Sequence, residues 1–254
     1  MIDRPTIQFD QGNLEATPEV AAMAEKAINA TKFLLANLPP RHRFYTFNME
    51  TIMIACGFKA GTEGSISLDK FDKDEFQREI EIYAKLGLKL SSPIYSEFQS
   101  DAGLTRSYDY YLYNPEVLMA QTRNSELVLP FSADMTIEQW IEQNYQEGKK
   151  PSVVFGKICS YPESAIRDFD LIQDHQKAYA TGAYAFSEEV FPLNVGDGGN
   201  DSFMFKLPAS AEIVKREKDK FDIFQIWSRD KEIASLLDSN IIEESRRLFW
   251  GKPQ

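Results

Sequence analysis

Apolar positions along the first third of the chain recur at helical spacing. Val20, Ala24, Ala27, Ile28, Thr31 and Leu35 share one face, behind an N-cap, a first-turn proline and an acid at Thr17-Pro18-Glu19. Pro39-Pro40 stops that helix. A second helix is predicted from Asp72, with Glu75 three residues on as in a capping box. It carries Phe76, Ile80 and Tyr83 on one face and closes at Gly87.

The period then changes. Leu88, Leu90, Ile94 and Phe98 fall at even spacings among polar residues, which is strand spacing. Ser100-Asp101-Ala102-Gly103 is a turn signal. In residues 104–113, Leu104, Arg106, Tyr108, Tyr110 and Leu112 alternate with Thr105, Ser107, Asp109, Tyr111 and Tyr113. The first set is apolar except for Arg106 and makes the natural core face of a tyrosine-rich β-hairpin. The second set begins polar and ends in tyrosines.

Capping chemistry places further helices. Asn114-Pro115-Glu116-Val117 repeats the cap signature of residues 17–20, through shared capping physics and not an internal repeat. Thr136 with Gln139 opens a helix bearing Ile137, Trp140, Ile141 and Tyr145, closed by Gly148. Pro151 and Pro162 each stand where a short helix begins, and 170–180 reads as helical. Residues 190–195 and 202–207 read as a second hairpin, with Phe203, Phe205 and Leu207 inward. Ser210 caps a helix, and Asp238 or Ser239 caps a last one. This order predicts an α+β fold, with helices packed around short antiparallel β-hairpins and no doubly wound parallel sheet. Two parts are expected, 1–128 with the tyrosine-rich hairpin and 129–254 with the second hairpin; the alternative is one compact domain over 1–254.

Composition narrows the function classes. The 28 Lys and Arg against 39 Asp and Glu give a formal charge of −11. The short basic clusters, Lys215-Arg216 and Arg246-Arg247, have acids close by, so neutralisation of a phosphate backbone or an anionic membrane is disfavoured. No apolar run approaches the ~18 residues of a membrane helix. The start, Met1-Ile2-Asp3-Arg4-Pro5, lacks the pattern of a signal peptide. Two cysteines, Cys56 and Cys159, make neither a disulfide framework nor a four-cysteine zinc site, and read as buried thiols. A cytoplasmic protein is the expectation.

Chemistry-bearing residues are sparse. The loop Gly196-Asp197-Gly198-Gly199-Asn200-Asp201 can approach a ligand closely, and its Asp oxygens suit a hard cation. It lacks the acids of a calcium loop and the Lys of a phosphate loop, and a hairpin turn explains it equally. His42 and His175 are the only histidines, so no His-rich metal site can form. Asp69, Asp72, Asp74 and Glu75 are explained by a helix amino terminus. Tyr95, Tyr111 and Tyr113 are candidates to line an aromatic groove. Arg106, a charge on an otherwise apolar face, either marks a basic pocket or lays its stem on the sheet with its head in water.

The stretch Ser160-Tyr161-Pro162-Glu163-Ser164-Ala165 resembles the Gly-Tyr-Pro-x-Cys-Cys segment of an uncharacterised family of prokaryotic proteins. Lys206-Leu207-Pro208-Ala209-Ser210 sits where that family carries His-x-Pro-Cys-Ser-x-x-Cys. Ser160 replaces the glycine, Ser164 and Ala165 the paired cysteines, Lys206 the histidine, and Ala209 and Ile213 the later cysteines. The resemblance implies a scaffold and removes any thiol-based metal or redox site.

Two readings of function follow. The first is a binding or interaction protein using an aromatic groove near the 88–113 hairpin, for an unknown small molecule or protein. The second is an enzyme of unrecognised type using carboxylates of the 196–201 loop, with or without a divalent cation. The ligand-binding candidates are Tyr95, Arg106, Tyr111, Tyr113, Asp197 and Asp201. No cofactor or bound metal, nucleic acid or membrane is implied.

Overall fold

An eleven-residue strand organises the sheet, and its neighbours approach it from both sides. The computed structural model describes residues 16–38, 49–100, 103–167, 192–194, 206–208 and 211–236. In chain order these hold α1 (Pro18–Asn37), α2 (Met49–Ala55), β1 (Gly61–Ser67), a short 3-10 turn (Leu68–Lys70), α3 (Lys73–Ala84), β2 (Lys89–Leu90), β3 (Ile94–Ser100) and β4 (Gly103–Tyr113). There follow α4 (Pro115–Thr122), α5 (Ile137–Gln146), α6 (Pro151–Ile158), β5 (Pro192–Asn194), β6 (Lys206–Pro208), α7 (Ala211–Ser228) and α8 (Lys231–Leu236). The fold is α+β with antiparallel pairing throughout. Among the described residues no helix is long and apolar enough to cross a membrane.

The chain separates into two compact units, one of residues 29–160 and one of 1–28 with 161–254. In the first, β4 pairs β1 on one side and β2 and β3 on the other. Capping fixes where its helices begin, as the sequence predicts. Asp72 accepts hydrogen bonds from the N–H groups of Asp74 and Glu75 at 3.0 Å each, opening α3. Asn114 accepts one from Val117 N at 3.2 Å, opening α4. Thr136 and Gln139 make the reciprocal capping box of α5.

The core of this unit gathers Ile52, Ile54, Tyr83, Leu88, Leu118, Ile137, Trp140 and Ile158. The irregular chain before α5 is held by side chains that replace ladder partners. Leu129 donates its N–H to Asn144 Oδ1 at 2.9 Å and accepts Trp140 Nε1–H at 2.8 Å, while Phe131 N donates to Thr122 Oγ1 at 2.9 Å. Both polar anchors, Asn144 and Thr122, are fully buried, where a satisfied group stabilises and an orphaned one is costly. Cys56 and Cys159 are buried thiols outside any disulfide.

In the other unit, Thr17 caps α1 through its side chain to Val20 N at 3.3 Å. Helix α7 buries Phe221, Phe224 and Trp227, the last two with ring centroids 5.5 Å apart. Its opposite side carries the ion pairs Lys215–Asp219 and Lys218–Asp222. Strands β5 and β6 pair antiparallel from Pro192 opposite Pro208 to Asn194 opposite Lys206, which accords with the second hairpin. The expected helices at 170–180 and after Asp238 lie outside the described residues.

Strand β1 was not foreseen: Gly-Thr-Glu-Gly-Ser-Ile-Ser offers a single large apolar side chain. Tyr110 explains its place. The Tyr110 ring lies over Gly64, so closely that a Cβ there would stand 2.4 Å from Tyr110 Cζ. A strand glycine leaves such room and is compensated by the aromatic ring that covers it. Phe76 of α3 meets the same ring edge-on at 5.5 Å. Gly64→Ala should therefore cost about 2 kcal/mol or more, as overpacking does, read as a lowered urea midpoint; an unchanged midpoint would mean that the ring can swing away.

Candidate functional site

Directly paired residues share a sheet face, so the registers sort the hairpin's side chains. One face holds Thr62, Gly64 and Ile66 of β1, Leu112, Tyr110, Tyr108, Arg106 and Leu104 of β4, and Tyr95 and Glu97 of β3. The opposite face holds Glu63 and Ser65, then Tyr113, Tyr111, Asp109 and Ser107, with Ile94, Ser96 and Phe98.

The expected core face is a core face over half its length. Helix α3 and the chain before it cover Tyr108 and Tyr110: Phe71 lies 4.2 Å from Tyr108, ring to ring, and Phe76 5.5 Å from Tyr110. Leu112 is buried, but Leu104 is 50% exposed. The cause is length. Strand β1 ends at Ser67 opposite Ser107, so residues 103–106 pair with β3 alone and extend past both neighbours.

At the start of that extension Glu97 and Arg106, with Tyr95 opposite Tyr108 just before it, form one surface cluster. Tyr95 donates its hydroxyl hydrogen to Glu97, and Arg106 Nε donates to Glu97 Oε1 at 3.0 Å. The Tyr95 hydrogen bond, with Arg106 beside it, lowers the Glu97 pKa, and the same bond raises that of Tyr95. The Arg106 side chain is half exposed; its head pairs on the surface and does not mark a buried basic pocket. Glu97 was not singled out in the sequence. Its place two residues from Tyr95, and opposite Arg106 in the hairpin that the alternation predicts, was the signal available.

Tyr111 and Tyr113, expected to share an open face, part company. Tyr113 is 3% exposed, its ring 6.1 Å from Phe131, which in turn stands 6.2 Å from Trp140 of α5. The groove expectation is corrected there: α5 closes over that end of the face. Tyr111 is half-buried beside Glu63, Asp109, Glu138 and Tyr145. Burial first, and these groups second, push its pKa up to about 12. Burial, with Asp109 nearby, also raises Glu63. Phenols held this high stay protonated at neutral pH, so they donate hydrogen bonds and do not act as bases. Asp197 and Asp201 lie outside the described residues. Among the described residues no group of three or more His, Cys, Asp or Glu side chains could hold a metal ion.

Beneath the sheet, Glu79 of α3 is 2% exposed and faces Tyr110. Burial pushes its carboxyl up to about 7, but the same burial keeps it from any ligand. Comparison with known proteins finds no matching family model, no similar curated protein and no similar solved structure.

Two predictions follow from this geometry. In urea denaturation Tyr113→Ala should cost about 3–5 kcal/mol and Tyr110→Ala a similar amount, as for large-to-small core changes, while Tyr111→Ala should cost roughly 1 kcal/mol. Equal losses at all three would mean that both faces are closed. Glu79 gives a pH signature. The folded protein holds a proton that the unfolded chain releases near its ordinary 4.5, so stability should fall as pH rises from 4.5 to 7 and then level. Glu79→Gln should flatten that fall and add up to about 3 kcal/mol above pH 7; an unaltered pH profile would refute the assignment.

Proposed function

We propose that this chain is a binding protein whose β3–β4 hairpin is the element that contacts its partner, and that the partner is a protein chain. One observation carries the reading. Six large apolar side chains are exposed among the described residues, and four of them, Ile94, Tyr95, Phe98 and Leu104, lie on this hairpin. Scattered exposed apolar residues are ordinary, but four gathered on one hairpin, two on each of its faces, favour an interaction surface. Small-molecule sites are concave and enclose their ligands. A two-stranded extension with apolar groups on both faces and an unpaired edge suits a macromolecule better.

The Tyr95–Glu97–Arg106 cluster supplies the polar part of such a contact. It balances one acid against one base on a chain whose formal charge is −11. Tyrosine and arginine are also the side chains most enriched where interfaces derive their energy.

A photo-crosslinking amino acid placed at Phe98 tests the reading inside the producing cells. The expected result is a discrete covalent adduct from Phe98 and none from the same probe at Gln77, exposed on α3. Equal labelling from both positions, or none from either, would overturn it.

A further inference from the structure

We infer that the occupant of this hairpin is a second copy of the chain, with two β3 edges pairing antiparallel about a two-fold axis at Ser96. The inference rests on the reading of the hairpin as the contact element and goes beyond it by naming the partner and the register.

The backbone shows which groups of β3 face outward. Ser91 N donates to Tyr111 O at 2.9 Å, and on the other side of β4 Asn114 N donates to Ala60 O at 2.7 Å. Odd-numbered residues of β4 therefore bond toward β2 and β3, and even-numbered ones toward β1. Ile94, Ser96 and Phe98 stand opposite Asp109, Ser107 and Thr105, so their N–H and C=O groups bond β4. Tyr95 and Glu97 stand opposite Tyr108 and Arg106 and turn theirs to the open edge. No described strand pairs with β3 on that side.

Symmetry then restricts the register. A two-fold axis perpendicular to the sheet keeps each face continuous, so paired residues must both be even or both be odd. With Glu97 on the axis, two carboxylates would oppose each other, which is unfavourable. With Tyr95 on the axis, Glu97 would meet Pro93, which has no N–H to donate, and Tyr95 against its own copy would be the one complete hydrogen-bonded pair; with Ser96 on the axis only Gln99, beyond the paired stretch, meets Pro93. With Ser96 on the axis, Tyr95 of each copy exchanges backbone hydrogen bonds with Glu97 of the other. Ile94 of each copy then meets Phe98 of the other, in the non-hydrogen-bonded pairs where side chains approach closest. These are the two most exposed apolar side chains of the edge, at 53% and 66%. The edge is thus complementary to itself in hydrogen bonding and apolar contact.

Five paired residues a side, 94–98, fall short of the ~800 Å² per partner of a standard interface, so the expected dissociation constant is on the order of 10–100 µM. Two copies of charge −11 each repel at long range, and salt screens that repulsion. Self-association should tighten with added salt, whereas capture of a basic partner would loosen.

Ser96→Cys tests the register. Cα atoms of a non-hydrogen-bonded antiparallel pair lie about 4.5 Å apart, within disulfide range, and the native Cys56 and Cys159 are buried. Mild oxidation should join Ser96→Cys copies into a dimer while Gln99→Cys, off the axis, stays monomeric. Sedimentation equilibrium of the unmodified protein should show a monomer–dimer equilibrium. Glu97→Pro, which removes an outward N–H and no bond to β4, should weaken it at least ten-fold, and Gln77→Ala, exposed on α3, should not. A monomer up to ~500 µM, or equal crosslinking of Ser96→Cys and Gln99→Cys, would overturn the inference. A crosslink from Phe98 to a different protein would then leave the hairpin as contact element and replace only its occupant. Failure of that crosslink as well would remove the reading itself.

Discussion

Strands β2 and β3 follow one another along the same side of β4, yet one extra residue lies between them. From Leu90 opposite Leu112 to Ile94 opposite Asp109, four steps along one chain match three along the other. Because side chains alternate with a period of two, this bulge moves every later residue to the other face. Each of its N–H groups is accounted for. Ser91 N donates to Tyr111 O and the Ser91 hydroxyl accepts Tyr111 N at 2.7 Å; Ser92 N donates to Glu138 Oε1 at 3.0 Å; Pro93 has no N–H. The bulge thus ties the sheet to the first turn of α5 and decides what the hairpin shows to its surroundings.

The same slip explains what was legible in the sequence and what was not. Helix starts were legible because capping is local: Asp72, Asn114 and Thr136 act within three residues of themselves. The hairpin was legible for the same reason, through its turn and its alternation. Leu88, Leu90, Ile94 and Phe98 fall at even spacing, which reads as strand and on an unbroken strand is one face. Leu88 is buried and Leu90 half-buried, but Ile94 and Phe98 are exposed, since the bulge intervenes; Pro93, which sheets confine to edges, strand starts and bulges, was the local signal for it. Strand β1 was illegible because it is placed by its partner and not by its own side chains. The burial of Tyr113 depended on α5, a helix 24 residues further on from it by the first residue, Ile137. One backbone feature had no counterpart in the sequence reading: Ser160 takes φ 60, a conformation glycine adopts freely.

Packing and chemistry conflict at the buried face. Gly64 gives up strand propensity to make room for Tyr110, and Glu79 gives up hydration to sit beneath the same ring. A buried carboxylate is expensive in its charged form and resolves the conflict by keeping its proton to near neutrality. Ser160 is a smaller instance of the same trade. A left-handed non-glycine residue costs about 1 kcal/mol, and its hydroxyl offsets that by accepting hydrogen bonds from Ala60 N at 2.6 Å and Gln121 Nε2 at 2.7 Å. These bonds join the end of α6 to the start of β1 and to α4, which holds the sheet's inner edge while the hairpin extends from the other end.

An open strand edge with exposed phenylalanine and isoleucine is the kind of feature that proteins blunt to avoid indiscriminate pairing. Here the blunting is graded. Pro93 stops pairing from running past the start of β3, and Glu97 sits on the edge where a misregistered copy would place a second carboxylate against it. The formal charge of −11 resists non-specific approach by other copies, because it acts at long range, while the Glu97–Arg106 pair cancels charge locally where strands would meet. Long-range repulsion with local neutrality penalises loose, many-registered aggregates more than a single close pairing, since only the close pairing gains the short-range contacts. The edge is therefore better described as selective than as unprotected, and the selectivity comes from the parity that the bulge imposes.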